Sequence, residues 1–199
     1  GTTLSVVTAQ EGAALEPGTI YVAPPGADLT LREGTLHLQP SAEEIPRHSI
    51  DTFLRSLAAD RGSAAIGVVL SGAGSDGTLG MKAIREEGGI TFAQEPSTAA
   101  HPSMPQSVLD AGLADYCLSP EEIGDELMRL SAHPLVARRR AQRTYGPEVL
   151  EKIFDRLRRS FGVDFTSYKL ATIERRLERR MALLKVERAE DYVARLDEN

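Results

Sequence analysis

Cysteine occurs once in the 199 residues, as Cys117. A single thiol excludes an intrachain disulfide and any zinc cluster built on cysteines, and it fits a reducing compartment. Cys117, inside ADYCLS, reads as a buried strand residue rather than a nucleophile. Long hydrophobic runs are also missing, since no segment approaches the roughly 18 consecutive apolar residues of a membrane span. The opening GTTLSVVTAQEG lacks the charged and apolar regions of a signal peptide. The chain is therefore expected to be soluble and cytoplasmic, with no membrane insertion and no metal centre. It contains neither an internal repeat nor a low-complexity tract.

What is present is enough for a core: 41% of residues are hydrophobic and 26% charged, which fits one domain or two small ones. Charge is unevenly spread. Residues 1–133 hold 7 Lys+Arg against 18 Asp+Glu, a balance of −11, whereas 134–199 hold 16 against 11, a balance of +5. Between them HPLVARRRAQRTYGP, a basic stretch bracketed by prolines, reads as a linker. The expected organisation is a first domain over 1–133, a linker over 134–146 and a second domain over 147–199.

Within the first domain, TIYVAPP and LTLREGTLHLQP alternate apolar and polar residues about a Glu33-Gly34 turn, which predicts a β-hairpin. HSIDTFLRSLAADRG places Ile50, Phe53, Leu54, Leu57 and Ala58 at helical spacing and stops near Gly62. AIGVVL, GITFAQ and LADYCL are short apolar runs separated by helix-like segments, the pattern of parallel strands buried on both faces. SPEEIGDELMRL then opens a helix, with Ser119 as cap, Pro120 in the first turn and Glu122 completing a capping box. The fold class is α/β, a partial doubly wound parallel sheet of Rossmann-like type with a hairpin, and ligands of such sheets bind at the carboxyl ends of strands. The second domain is all-α. Val149, Leu150, Ile153, Phe154 and Leu157 line one helix closing at Gly162; Leu170, Ile173, Leu177, Met181 and Leu184 line the next; ERAEDYVARLDEN begins a third.

The chemistry concentrates in GVVLSGAGSDGTLG, residues 67–80, where a glycine-rich turn with one carboxylate, Asp76, follows a strand. Gly72, Gly74 and Gly77 satisfy Gly-x-Gly-x-x-Gly, and Glu95 ends the next strand at the distance of a ribose-binding acid, so a dinucleotide site is one reading. Asp76 argues against it, because it brings a negative charge to the place a pyrophosphate would occupy. No Lys-Ser or Lys-Thr pair follows the glycines, which disfavours a nucleoside-triphosphate loop. A second reading has Asp76 merely capping the following helix. A third has it as a catalytic carboxylate, and the last two are compatible, since backbone N–H groups would fix its direction.

Arg175, Arg176, Arg179 and Arg180 fall at i, i+1, i+4 and i+5 and would line the side of their helix opposite its apolar stripe. They form either a solvated face, partly neutralised by Glu174 and Glu178, or an anion-binding surface. Nucleic acid is disfavoured as the partner, because few aromatics interleave these arginines and the chain is acidic overall.

Three stretches carry a resemblance. GVVLSGAGSDGTLGMKAIREEGGITFAQEPSTA, followed by MPQSVLDAGLADYCLSPEEI, resembles the C-terminal part of bacterial chemotaxis protein-glutamate methylesterases, from about Pro17 to about Leu130. FGVDFTSYKLATIERRLERRMALL is similar to the small helical N-terminal domain of chemoreceptor glutamate methyltransferases, covering most of 147–199. The tandem resembles a piece of a methylesterase–methyltransferase fusion. The resemblance implies a Ser-His-Asp constellation in which Asp76 is the Asp, orienting a histidine while a serine attacks the methyl ester. Gly72, Ala73, Gly74 and Gly77 would shape the active-site turn, Ala73 standing where the family often has Met. The family's Ser and His lie on earlier strands, and none of His37, His48, His101 or His133 matches; no serine sits in a Gly-x-Ser-x-Gly elbow.

Such a chain is expected to be inactive alone and to associate with its missing half or with a second copy through exposed apolar sheet surface. It is expected to hold no cofactor, since S-adenosylmethionine belongs to the methyltransferase domain that follows the helical one. The four arginines would meet acidic chemoreceptor helices. The alternative from another class is a non-catalytic signalling interaction module.

Overall fold

Alternating sequence becomes strand first at the chain's beginning, where Ser5–Thr8 (β1) and Thr19–Val22 (β2) pair in parallel, Val6 opposite Ile20 and Thr8 opposite Val22. The computed structural model describes residues 4–41, 48–132, 145–162 and 170–196. Ala27–Arg32 (β3) and Thr35–Pro40 (β4) form the expected hairpin, with Arg32 opposite Thr35. Its two-residue loop, Glu33-Gly34, takes positive φ at both positions (50° and 76°), the conformation that matches the right-handed twist of the flanking strands. TIYV is not part of that hairpin, because its backbone groups are spent on β1.

Helix α1 runs Ser49–Arg61 and ends at Gly62. Leu54 and Ala58 are buried, while Phe53 and Leu57 pack against both the hairpin cluster of Ala9, Leu29, Leu31 and Leu36 and the main α/β core. α1 thus joins the hairpin to the parallel layer. That layer has the order β5-β6-β7, all parallel, from Ile66–Val69 (β5), Ile90–Gln94 (β6) and Tyr116–Leu118 (β7). Thr78–Glu86 (α2) connects the first two strands, and Ser103–Asp110 (α3) the last two. All five residues of β6 are buried, as a central parallel strand requires. Leu54, Ala58, Val69, Met81, Ile84, Ala93 and Val108 close the core.

Pro120–Ala132 (α4) follows β7. Its capping box forms as read: Ser119 N–H and Oγ–H donate to Glu122 Oε2 at 2.9 and 2.8 Å, and Glu122 N–H returns to Ser119 Oγ at 3.4 Å. Those bonds hold the Glu122 carboxyl below its ordinary range, the Ser119 backbone amide contributing most.

The chain divides into two compact units, 1–123 and 124–199. In the second, Pro147–Phe161 (α5), Leu170–Leu183 (α6) and Ala189–Leu196 (α7) contribute Leu150, Ile153, Leu177, Met181, Val186, Ala189 and Tyr192 to one buried cluster. α5 stops at Gly162, whose φ of 68° lets its N–H reach Arg158 C=O. Leu170, read as the start of the apolar stripe, is exposed: it is the first residue of α6, and the buried cluster takes up that helix only from Leu177. The basic linker stretch 133–144, His133 included, lies outside the described residues.

Cys117 corrects another expectation. It lies in β7 but is exposed. β7 is the edge strand next to β6 among the described residues, and none of its three residues is fully buried, whereas all five of β6 are. Partial burial, and then the Glu95 carboxylate, push its thiol up from the ordinary cysteine range, which disfavours a thiolate nucleophile.

Candidate functional site

The turn that follows β5 leaves the sheet at the carboxyl end of its strands, and two segments pin it. Ser71 N–H donates to the side-chain oxygen of buried Gln94 at the end of β6 (2.8 Å), while Gln94 Nε2 donates to Thr98 C=O (3.0 Å). Gly72 N–H donates to His101 C=O, Met104 N–H to Gly72 C=O, and Gly74 N–H to Ser103 Oγ. A Cβ on Gly72 would meet the thioether end of Met104 in α3, which would have to turn aside to admit it. Gly74 and Gly77 have φ of 85° and 94°. Ala73, between Gly72 and Gly74, is exposed.

Asp76 is half-buried, and its carboxylate does not cap the helix that follows it. Oδ2 accepts the N–H of Ile50 at 3.0 Å and Oδ1 the N–H of Asp51 at 2.9 Å, so both oxygens sit on the first turn of α1. The capping reading was right about the chemistry and wrong about the helix. The favour is returned: Asp51, 4% exposed, directs its Oδ1 to the N–H of Gly80 in the first turn of α2, at 2.7 Å. Each helix start is therefore capped by an acid belonging to the other, or to the turn before it. Neither the α1 nor the α2 N-cap residue makes a side-chain cap bond of its own.

This cross-capping bears on the dinucleotide reading. At the start of α2, Thr78 N–H is taken by Ser75 C=O, Gly80 N–H by the Asp51 carboxylate and Met81 N–H by Gly77 C=O. An anion already occupies the helix end where a pyrophosphate would bind.

His48, exposed at the start of α1, has Nδ1 3.9 Å from Asp51 Oδ2. His48, Asp51 and Asp76 bring one ligand-type atom each within 4.8 Å of one another, the one grouping with metal-like spacing among the described residues. Three of its four carboxylate oxygens already accept backbone N–H bonds, which makes it an amide-capping network first. Of the other histidines, His37 belongs to β4, where Nδ1 meets Glu11 Oε1 at 2.8 Å, and His101 is exposed with its backbone on the turn. Asp51 and Gln94 were not singled out from the sequence. An acid in a helix's first turn is ordinary dipole chemistry and carries no signal of a distant partner.

In the helical unit, Arg176 and Arg180 are exposed and Arg175 and Arg179 half-buried, so the four share one helix without sharing one environment. Arg180 hydrogen-bonds the hydroxyl of Tyr192, a buried residue of α7; burial pushes the phenol up and Arg180 pulls against that.

An open parallel sheet with helices between its strands, and a fixed carboxylate at a strand's carboxyl end, defines an α/β domain of the ligand-binding or enzymatic kind. The family description "CheB methylesterase" matches residues 1–127, and "CheR methyltransferase, all-alpha domain" matches 148–199. The chain belongs to the CheB methylesterase family, with a CheR all-alpha domain in tandem.

A Rhodobacter capsulatus protein described only as an uncharacterized 104.1 kDa protein is 34% identical across 96% of this chain and 23% of its own length, so the tandem order recurs there. A protein-glutamate methylesterase/protein-glutamine glutaminase of Nitratidesulfovibrio vulgaris is 34% identical over 63% of this chain and 35% of its own. The crystal structure of the Thermotoga maritima CheB methylesterase catalytic domain superposes with a TM-score of 0.57 at 31% identity, covering 62% of this chain and 68% of that one. This chain thus spans between about a quarter and a third of the length of those two curated relatives. No described helix is long and apolar enough to cross a membrane.

Proposed function

We propose that residues 1–133 are part of a methylesterase catalytic domain, that 134–146 link it to a methyltransferase N-terminal domain over 147–199, and that the parent edits methyl esters on chemoreceptor glutamates in the cytoplasm. In this reading Asp76 is the aspartate of a Ser-His-Asp constellation whose serine and histidine come from outside these residues. It holds the histidine's tautomer and balances the imidazolium formed as serine attacks the ester; methanol leaves with that proton to give an acyl-serine, and water then cleaves the acyl-serine to free the glutamate and the serine. Gly72, Ala73, Gly74 and Gly77 form the turn that presents it.

The observation that carries the proposal is the fixed carboxylate at the carboxyl end of β5, clamped by two backbone N–H groups so that it points in one direction. The chain alone is inactive. Its complement docks on the β1–β2 pair, whose Val6, Val7, Ile20 and Val22 are exposed, Val6 by 64%.

The helical domain supplies recognition, with Arg175, Arg176, Arg179 and Arg180 facing acidic receptor helices. Any S-adenosylmethionine site of the parent is placed by this reading outside α5–α7, whose interior is filled by Leu150, Ile153, Leu177 and Met181.

The test is methanol release from methylated receptor by the complete protein. Asp76→Asn is expected to lower kcat by about 10³- to 10⁴-fold. Undiminished turnover in that variant would overturn the esterase reading, and no turnover in the unaltered protein would favour a non-catalytic interaction module.

A further inference from the structure

Asp76 can orient an imidazole only as well as its own carboxylate is held, and that hold is unusual in coming from a helix 25 residues earlier in the chain. Its two oxygens take the N–H groups of Ile50 and Asp51, at 3.0 and 2.9 Å. Those amides belong to α1, whereas Asp76 itself is carried by the turn leading into α2. Any slippage between the two helix starts would therefore swing the carboxylate or lengthen its bonds.

One side chain spans the two starts. Asp51 gives its N–H to Asp76 and, through its own carboxylate, takes the N–H of Gly80 at 2.7 Å, four residues after Asp76. The result is a closed loop of bonds: Asp76 carboxylate to α1, Asp51 carboxylate to α2, and the backbone from Gly80 back to Asp76. Asp51 is 4% exposed, so water does not substitute for it readily. Gly80 is packed against this place as well, since a Cβ there would lie 2.5 Å from Leu54 Cβ and 3.3 Å from Asp51 Cα.

We infer that Asp51 is a positioning residue for the esterase reaction, fixing the direction of the Asp76 carboxylate by locking the first turns of α1 and α2 together. This rests on the esterase reading above and adds a residue to it. Asp51 meets no substrate. Its removal acts through Asp76, and so through the orientation of the histidine in the transition state. Misplacement on the scale of 1 Å costs about 100-fold in rate.

The experiment uses the complete protein and methylated receptor. Asp51→Ala removes the acceptor for Gly80 and is expected to lower kcat about 10- to 100-fold with KM unchanged within about twofold. Asp51→Asn keeps an oxygen in the same place and is expected to restore kcat to within a few-fold of the unaltered protein. Should the alanine variant fail to fold by circular dichroism, Asp51→Ser replaces it, its hydroxyl ending one bond short of the carboxylate oxygen. Unchanged kcat in a folded alanine or serine variant overturns the inference, as does equal loss in the asparagine variant or a loss confined to KM. Asp76→Asn is measured alongside: if it too retains full activity, the esterase reading has failed; if it is inactive while Asp51→Ala is not, only the positioning role has.

Discussion

Asp51 and Asp76 are bound to each other through a backbone amide rather than through their charges: Asp51 N–H donates to Asp76 Oδ1 at 2.9 Å, and the Asp51 carboxylate turns away to Gly80. Two acids sit side by side because each meets a helix start, where unpaired N–H groups and the positive end of the helix dipole favour negative charge.

Removing one of these caps should register in stability even without any assay of function. Asp76→Ala leaves Ile50 and Asp51 N–H without their acceptor and is expected to cost about 1–2 kcal/mol, the range for losing an N-cap. Urea denaturation followed by circular dichroism reads this; an unchanged midpoint would mean the two bonds contribute nothing in solution.

Gly80→Ala sets two effects against each other. In a helix interior the change ordinarily gains about 1 kcal/mol. Here the new Cβ would lie 2.5 Å from Leu54 Cβ, and overpacking costs about 1–3 kcal/mol. Leu54 Cβ is the root of its side chain and cannot rotate away, so the expected sign is destabilising. A rise in melting temperature would show that α1 and α2 separate at no cost.

Cys117 is exposed, yet its thiol is pushed up first by partial burial and then by Glu95. A raised value means less thiolate at pH 7–8, so alkylation by iodoacetamide should run slower than for free cysteine and gain on it as pH rises. Glu95→Gln removes a negative charge and should speed the reaction at fixed pH. Faster alkylation than free cysteine would contradict the direction of the shift.

Charge reversal separates two of the arginines. Arg176→Glu is expected to weaken binding of an acidic receptor peptide while leaving thermal stability within about 0.5 kcal/mol, as for an ordinary surface change. Arg180→Glu also loses the Tyr192 hydroxyl and should lower the melting temperature. Peptide binding that is insensitive to Arg176→Glu and to salt would remove the arginines from the recognition surface.

Local pattern carried most of the architecture. The parallel strands, the Glu33-Gly34 hairpin, the Ser119–Glu122 capping box and the helical stripes around Ile153 and Met181 are legible because periodicity, turn geometry and capping are properties of neighbouring residues. Exposure at the margins was not. Cys117 and Leu170 match the pattern of buried residues, and whether a partner lies over them is decided by position at a sheet edge or a helix start.

The sequence by itself determined that an aspartate stands in a glycine-rich turn between a strand and a helix, and that this helix would begin there. Only the tertiary structure decided whose amides that aspartate would take. Capping chemistry is local, but the first turns of α1 and α2 come together only because Leu54, Ala58, Met81 and Ile84 pack into one core. Once those apolar faces meet, Asp76 takes the N–H groups of Ile50 and Asp51, and no pattern within a window of residues around 76 contains them.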